Sequence, residues 1–291
     1  MSTVHTDIFS TSRTESAGRL LNPVYMVFDL WQRRDLLWQF TVRDVQGRYK
    51  GSYLGLIWAI LNPLLMLVVY TLVFHGLFHS HYRSENENFL VFAVYLFSGL
   101  IAFNIFSESV TKAPLLITQN PNYVKKVVFP LEILPLSVIG SALFHGLLSL
   151  LVLLAASLLG AGRPHWTLLY LPVVCVPLVL LTAGLCWLLS SLGVFMRDIG
   201  QFIQVAVQLL FFLTPITYPL SLFDSPRAKW ALKFVRLNPM VPIVESFRRV
   251  VNDGVAPEWG SLAVVTLIGL VMAVLGYAWF IKIKRAFADV I

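Results

Sequence analysis

Six uninterrupted apolar stretches divide the chain, and each is long enough to cross a bilayer as a helix, which takes about 20 residues. They cover residues 54–78, 89–107, 133–160, 167–196, 199–220 and 260–281. The runs lack the strict alternation of a membrane β-barrel, so strands are not expected. None of the 22 Lys and Arg or 15 Asp and Glu residues lies in the central part of a stretch. The pattern predicts an all-α integral membrane protein with six transmembrane helices.

Two segments outside these spans are amphipathic. A helix over residues 29–50 would place six apolar residues on one side: Leu30, Leu37, Trp38, Val42, Val45 and Tyr49. Its basic opposite side, together with Trp31, is typical of a helix on the cytoplasmic membrane surface. In the second segment, residues 226–252, Asn238, Pro239 and Pro242 interrupt the pattern. Short re-entrant or interfacial helices are therefore predicted between spans five and six.

These elements divide the chain into four regions. Residues 1–28 are polar and rich in Ser and Thr, without the apolar core of a signal peptide, and are expected to form a flexible tail. Residues 29–52 form the predicted interface helix, and residues 53–285 form the six-span domain. Residues 286–291 are a short C-terminal end on the cytoplasmic side.

Composition indicates that lipid is the solvent for most of the chain. Hydrophobic residues make up 57% and charged residues 13%, against roughly 45–50% and 25% in soluble domains. The net charge of +7 is therefore interpreted through membrane orientation and not as a sign of nucleic-acid binding. Cys175 and Cys186 lie too far apart along one apolar stretch for a disulfide, and the sequence contains no metal-binding Cys/His spacing.

The positive-inside rule predicts that both termini are cytoplasmic. In that orientation 14 of the 22 basic residues lie inside and eight lie outside. Six of the outer eight lie in the loop after the fifth span: Arg227, Lys229, Lys233, Arg236, Arg248 and Arg249. This cationic loop is either a solvated surface or a contact for anionic groups on lipid or cargo, and the sequence leaves both open.

Missing chemistry narrows the function. The sequence holds no GxxxxGK[ST] motif for nucleotide phosphates, no HExxH and no GxSxG. Ion-coupled transporters carry charged residues inside their spans, because the coupling ion binds there. Here the central spans offer only His145, on a helix with Ser141 and Ser149, and we interpret it as a hydrogen-bonded packing residue rather than a proton relay. Energy for transport is therefore expected from another subunit.

A few charged residues lie at the ends of the spans. Glu108 and Glu132 are interpreted as helix-end or partner contacts, because loop 109–131 separates them and argues against an acid–base pair. Arg197 and Asp198 occupy the turn between spans four and five, where we predict an ion pair that fixes the turn rather than a contact with cargo.

Four groups of motifs, in order along the chain, carry a resemblance to a known family. The first comprises Arg43-Asp44, Arg48-Tyr49-Lys50-Gly51-Ser52, Leu54-Gly55-Leu56-Ile57-Trp58 and Asn62-Pro63-Leu64. The others are Asn120-Pro121 with Val124-Lys125-Lys126-Val127-Val128-Phe129-Pro130, Phe195-Met196-Arg197-Asp198-Ile199 with Pro215-Ile216-Thr217-Tyr218-Pro219, and Asn238-Pro239-Met240 with Pro242, Glu245 and Arg248. Together they resemble the transmembrane subunit of ABC-2 type exporters, particularly the permeases for O-antigen, capsule and teichoic acid polysaccharides. The match covers roughly residues 30–285.

The resemblance implies a homodimer in the bacterial inner membrane, paired with two copies of a separate ATPase that binds ATP and Mg²⁺. The chain itself would hold no cofactor and no catalytic site, and a lipid-linked polysaccharide would pass between the subunits. The interface helix and loop 112–130 would contact the ATPase through Arg43, Arg48, Asn120, Tyr123, Lys125 and Lys126. The two lysines could equally be ordinary positive-inside residues. The diphosphate of a lipid carrier favours cationic surroundings, which Arg48 and Lys50 would supply at the cytoplasmic entrance.

Aromatic residues make up 13% of the chain, and many lie in the first two spans. Sugar rings present apolar C–H faces, so aromatic side chains along a conduit would let a glycan slide. The predicted conduit aromatics are Trp58, Tyr70, Phe74, Tyr95, Phe103 and Phe106. For each single ring, an interfacial belt or packing against lipid is the competing interpretation.

The leading hypothesis is a permease subunit for ATP-driven export of a lipid-linked polysaccharide. One alternative is an ABC-2 exporter of drugs or lipids. Another is a membrane-embedded glycan polymerase or transferase, which would need acidic or basic groups at a membrane-facing active site. The absence of charge from six spans counts against that enzyme and against an ion-driven flippase.

Overall fold

The computed structural model describes residues 21–77, 89–125, 129–161, 164–220 and 232–291, and every regular element within them is a helix. This confirms the predicted all-α class. In chain order the helices are α1 (Pro23–Gln32), α2 (Arg34–Tyr49), α3 (Trp58–Thr71), α4 (Phe89–Lys112), α5 (Pro121–Val124), α6 (Ile133–Ala156), α7 (Leu171–Phe195), α8 (Ile199–Leu213), α9 (Leu232–Leu237), α10 (Met240–Arg248), α11 (Trp259–Ile283) and α12 (Phe287–Val290). Short 3₁₀ or π-helical segments adjoin several of them.

Within these described ranges, five helical segments are long and apolar enough to cross a membrane, and each overlaps a predicted span. They are Trp58–Gly76, Phe89–Leu115, Ile133–Leu159, Trp166–Phe195 and Trp259–Val290. The fifth predicted span, 199–220, is different, because α8 ends at Leu213 after 15 residues. That length corresponds to about 22 Å at 1.5 Å per residue. Turns follow from Thr214, and Pro215 cannot donate the hydrogen bond that would continue the helix.

Helix α10 packs against the part of α4 that lies beyond the end of α8. A Cβ atom at Gly99 of α4 would lie 3.2 Å from Val244 and from Arg248, so glycine leaves room for both. Arg248 is buried, and its Nη1 and Nη2 atoms donate to the carbonyls of Pro215 and Ile216, each at 2.6 Å. A buried arginine thus closes the turn after α8. The predicted short helices between α8 and the last span are present as α9 and α10.

Helices α7 and α11 form the most closely packed pair and run in the same direction. Gly184 of α7 faces Met272 and Gly276 of α11, and further along both helices Trp279 Nε1 donates to Ser191 Oγ at 3.0 Å. A methyl group at either glycine would overlap backbone atoms of the other helix, so these glycines set the close approach. Because the helices are parallel, residues 196–258 must return to the end of the bundle where α7 begins.

The predicted single interface helix over 29–52 is two helices. The first, α1, begins at Pro23, and the Asn22 side chain accepts its Val24 N–H at 2.9 Å. It therefore starts inside the predicted tail 1–28, of which residues 1–20 lie outside the described part of the chain. The two helices meet at Arg33, where the helical backbone is interrupted. The Asn-Pro pair at 22–23 is a helix-start signal that the sequence prediction overlooked.

The buried face of α2 also differs from the prediction. Phe40, Thr41 and Val45 are buried, and Gly140 of α6 lies so close to Thr41 that a Cβ there would be 2.6 Å from its hydroxyl. Trp38, which was predicted on the apolar side, is 68% exposed. Phe40 interrupts the amphipathic pattern in the sequence, yet it is a central contact of this helix.

Both ends of the described chain meet at one end of the bundle, which we call the terminal end. Arg33 and Lys284 both contact the carboxylate of Glu132, which is 0% exposed at the start of α6. Asp29 binds Arg33 at 2.7 Å and accepts the Tyr277 hydroxyl at 2.8 Å. Burial disfavours the charged form of Arg33, but the carboxylates of Glu132 and Asp29 outweigh it and raise the Arg33 pKa. Glu132 is thus a contact among helices of this chain.

A glycine joint connects α2 to the first span. Gly51 and Gly55 adopt φ values of 87° and 50°, in the left-handed region that favours glycine. No atom lies within 4 Å of the place where a side chain would begin at either glycine, so backbone conformation and not space requires glycine there. Beyond the joint, α3 buries only Ala59, Leu67 and Thr71. The first span is therefore loosely covered by the rest of the chain.

Candidate conduit and coupling surface

Helix α4 carries a polar stripe on the half that approaches the terminal end. Asn104, Ser107, Glu108 and Thr111 recur at spacings of three and four residues, which puts them on one face of the helix. Asn104 is exposed, although most of the residues around it on α4 are buried. Polar groups facing hydrocarbon lose hydrogen bonds at a cost of several kcal/mol each. The stripe therefore marks a surface that lipid does not cover.

Two adjoining cavities, together called the groove, open on this stripe. Their volumes are about 400 and 500 Å³, and both are lined by all four residues of the stripe. Helix α3 forms one wall through Asn62, Pro63 and Met66. Helix α8 forms the other wall through Gln204, Val207, Gln208, Phe211 and Phe212. A polar groove thus runs between two helices that the chain leaves largely uncovered.

The amides of the groove were not predicted as site residues. Asn62, Gln204 and Gln208 are each exposed on an otherwise apolar helix. The signal was present in the sequence, because Gln201, Gln204 and Gln208 recur at helical spacing. Polar residues inside apolar spans are rare and tend to serve function. Isolated amides in these apolar helices are therefore a sequence signal for a functional surface, as aromatic residues are.

An ion cluster at the terminal end of the groove joins α2 to α4 and α6. Arg48 Nη1 donates to Glu108 Oε1 at 2.5 Å and lies 2.9 Å from His145 Nδ1. The Glu108 carboxylate is 3.2 Å from that same imidazole nitrogen. Lys112 Nζ lies 3.1 Å from Glu108 and 3.6 Å from Asp44. Arg48 therefore borders the groove as a contact within the chain, and His145 belongs to an ion cluster that its sequence context did not reveal.

An aromatic cluster fixes α5 to α2. The rings of Phe40, Tyr123 and Phe129 pack with centroids 4.6 to 5.3 Å apart. The Arg43 guanidinium lies 4.1 Å from the Phe40 ring centroid, and Arg43 donates to the Tyr123 hydroxyl. These contacts join the loop between α4 and α6 to α2. The two elements therefore form one continuous surface, which a coupling contact with a partner subunit would require.

The other predicted contact residues have different surroundings. Asn120 donates from Nδ2 to the Leu116 carbonyl at 2.9 Å and so shapes the turn before α5. Lys125 is exposed at the end of α5, while Lys126 lies outside the described residues. Lys50, the second predicted entrance residue, is exposed after α2 and lines neither cavity of the groove.

Two of the six predicted conduit aromatics line the groove. Tyr70 and Phe103 border its second cavity, and Phe103 packs against Phe211 with ring centroids 5.4 Å apart. Phe74 stacks on Tyr70 at 6.1 Å without reaching either cavity. Phe211 and Phe212, which were not predicted, supply further aromatic surface.

The remaining predicted aromatics do not border the groove. The Tyr95 hydroxyl lies 2.8 Å from both carboxylate oxygens of Asp253, and this contact fixes it beside α10. Phe106 is buried in the helix core. Trp58 is partly buried and lines neither cavity. These three residues therefore lie outside the groove, because an apolar sequence does not reveal which side of a span is packed.

The structure does not contain the ion pair predicted in the turn between α7 and α8. Arg197 and Asp198 are both exposed, and within the described residues no ion pair joins them. Neighbouring residues point in different directions, and an exposed pair contributes little because water screens it. The turn is instead closed by backbone hydrogen bonds, such as that from Ile199 N to the Met196 carbonyl at 3.3 Å.

Long apolar helices around a polar groove define a multi-pass membrane protein with a polar surface along one side. Residues 35–251 match the profile of the family described as ABC-2 type transporter. The chain belongs to this ABC-2 type transporter family, and the resemblance drawn from its motifs is confirmed.

Individual proteins are similar over most of the chain. The O-antigen export system permease protein RfbA of Myxococcus xanthus is 30% identical over 266 residues, which cover 91% of this chain and 99% of that protein. RfbA of Klebsiella pneumoniae is 28% identical over 267 residues, with 91% and 98% covered. The polysialic acid transport protein KpsM of Escherichia coli is 25% identical over 242 residues, with 82% and 90% covered.

Proposed function

We propose that this chain is the permease subunit of an ATP-driven exporter that moves a lipid-linked polysaccharide of the O-antigen or capsule type across the bacterial inner membrane. The observation that carries the proposal is the polar groove between α3 and α8 in a protein of otherwise apolar spans. Its amides suit sugar hydroxyls, and its aromatic rings suit sugar C–H faces. The names of the three relatives support polysaccharide as the cargo.

The alternatives receive less support. The named relatives are polysaccharide transport proteins and give no indication of drugs or simple lipids. A glycan polymerase or transferase needs a carboxylate or base available for proton transfer. In the groove the Glu108 carboxylate is instead held by Arg48 and Lys112, which suits a structural contact.

A second copy of the chain would complete the conduit. Only Val207 is buried on α8, and α3 is covered nearly as sparsely, so both walls leave surface for a partner. A groove left open to lipid would strand its amides without hydrogen bonds. A two-fold related copy would present the same surface and enclose a polar path between the two grooves. We therefore propose a homodimer.

We assign the terminal end, and with it both termini, to the cytoplasm. The basic residues of the loop after α8 were the main objection to this orientation. Arg248 is buried, and Arg249 donates from Nε to the Ala256 carbonyl at 3.1 Å, so both serve internal contacts. The parallel arrangement of α7 and α11 supports a sixth passage between them, made by α8 together with the segment up to α10.

Two copies of a separate ATPase, each with ATP and Mg²⁺, would bind at the terminal end. The joined surface of α2 and α5 supports this assignment, since Arg43 and Tyr123 hold the two elements together beside the exposed Lys125. A movement of α2 would be transmitted directly to the groove, because Arg48 at the end of that helix contacts Glu108.

Co-expression with a candidate ATPase tests the proposal. We expect a stable complex that hydrolyses ATP and exports glycan only when this chain is present. A matched complex in which the phosphate-binding lysine of the ATPase is replaced by alanine should assemble but export nothing. Failure of the two proteins to co-purify, or export that survives this lysine substitution, would contradict the proposed function.

Arg43→Ala should uncouple the ATPase from export. The substitution removes the guanidinium that joins α2 to Tyr123, so the complex should still hydrolyse ATP while export falls about tenfold, within the usual range of coupling free energies. Arg34→Ala is the control, because Arg34 is exposed on the same helix. Export and hydrolysis should be measured on the same preparation. Equal losses of export in the Arg43 and Arg34 variants would show that the contact between Arg43 and Tyr123 does not couple the ATPase to export.

A further inference from the structure

The groove is lined almost entirely by uncharged groups. In the second cavity, the described lining residues carry amides, hydroxyls and aromatic rings, and the single charged side chain among them is the carboxylate of Glu108. The first cavity adds Arg48 and Lys112 as its only described cations. Among the described lining residues, charge is therefore confined to the terminal end of the groove.

The charges at the terminal end compensate one another. Arg48 is paired with Glu108 at 2.5 Å, and Lys112 lies between Glu108 and Asp44 at 3.1 and 3.6 Å. The two cations, Arg48 and Lys112, and the two carboxylates, Glu108 and Asp44, cancel in formal charge. Arg48 and Lys112 already have acidic partners, so the described residues of the groove include no spare cation for an anionic polymer.

The same groove has many partners for a neutral sugar. Asn62, Asn104, Gln204 and Gln208 offer both donors and acceptors, as sugar hydroxyl groups require. Hydroxyl groups of a passing glycan can satisfy such atoms in turn without a fixed binding site.

A polyanion would meet the opposite conditions. Polysialic acid, which appears in the name of KpsM, bears a carboxylate on every sugar. Between protein walls and lipid the effective dielectric constant is low, so uncompensated charges interact strongly and are costly to desolvate. The first side-chain charge that they would meet in the second cavity is another carboxylate, Glu108. A two-fold partner would repeat this described lining on the other side of the path.

We propose that the groove selects an uncharged glycan and discriminates against a polymer with a carboxylate on each repeat. This inference rests on the proposed function, because it names the chemical class of the polysaccharide for that same conduit.

The test compares two lipid-linked glycans of equal length on the same carrier, one neutral and one with a carboxylate on every repeat. The purified complex with its ATPase is reconstituted in liposomes, and translocation is followed by protection of the glycan from an added glycosidase. We expect the neutral polymer to move about tenfold faster or more, because unpaired charge is an effective means of discrimination. Equal rates would overturn the inference and leave the proposed function standing. If neither polymer moves, the proposed function itself fails and the inference falls with it.

A lysine introduced into the groove should relax this selectivity. Gln208→Lys places a cation in the second cavity, and translocation of the carboxylated polymer should rise about tenfold relative to the neutral one. Gln201→Lys is the matched control, because Gln201 is exposed on the same helix but lines neither cavity. Gln204→Lys serves as a second lining variant if Gln208→Lys fails to fold. An unchanged ratio in both lining variants would contradict selection by the groove.

Discussion

Gly276→Ala is expected to be among the most damaging single substitutions in this protein. Its added methyl group would overlap the backbone of Gly184 on α7, and backbone atoms cannot move aside as a flexible side chain can. Overpacking at such a contact costs about 3 kcal/mol, the upper part of the usual range. We expect a clearly lower melting temperature and less folded protein in detergent, measured by size-exclusion chromatography after heating.

A glycine on the same helix supplies the control. Gly260 lies near the start of α11, and no atom lies within 4 Å of the place where its Cβ would be. Gly260→Ala should be neutral or stabilise by up to about 1 kcal/mol, since alanine restricts the unfolded chain. If the two variants have the same melting temperature, the close approach of α7 and α11 does not determine the stability of the bundle.

Glu132→Gln should lower the stability of the protein nearly as much as Gly276→Ala does, but for an electrostatic reason. Glutamine keeps the size of the side chain but leaves Arg33 and Lys284 without their shared negative charge. Breaking a buried ion pair costs about 3–5 kcal/mol. The lower end applies here, because the two cations are 32% and 30% exposed and water can screen them. The melting temperature of the purified protein is the measurement.

Two companion variants isolate that electrostatic cause. Asp35→Asn also removes one carboxylate, but Asp35 is 87% exposed and should change stability by less than about 0.5 kcal/mol. Lys284→Met in the Glu132→Gln background removes one uncompensated cation and should recover part of the loss. A double variant no more stable than Glu132→Gln alone would show that packing and not charge makes Glu132 important.

The spans were predictable because length and composition determine them. Five apolar runs became long helices, since a chain in lipid must satisfy its backbone hydrogen bonds internally. The exception is the stretch 199–220, where the helix ends before the apolar sequence does. Its apolar residues continue past Pro215, so hydropathy alone predicts a span up to residue 220. In the structure the helix ends at Leu213, because Pro215 lacks the backbone N–H that would continue it.

Contacts between distant parts of the chain were not predictable in the same way. Arg48 and Glu108 are 60 residues apart, and Lys284 and Glu132 are 152 apart, so nothing local in the sequence links them. In a membrane protein both the packed and the lipid-facing sides of a helix are apolar, and the pattern that reveals a buried face in water is lost. This explains why the sequence could not distinguish Phe103, which borders the groove, from Phe106 three residues later, which is buried.

The short reach of α8 has a consequence for the surrounding bilayer. The hydrocarbon core is about 30 Å thick, and this helix covers about 22 Å of it. Where a second copy does not cover α8, lipid tails beside it meet a hydrophobic mismatch of about 8 Å, which a membrane accommodates by local thinning. Under the proposed function, a hydrophilic polymer that slides along this wall would leave bulk water for a shorter distance than the nominal thickness of the membrane.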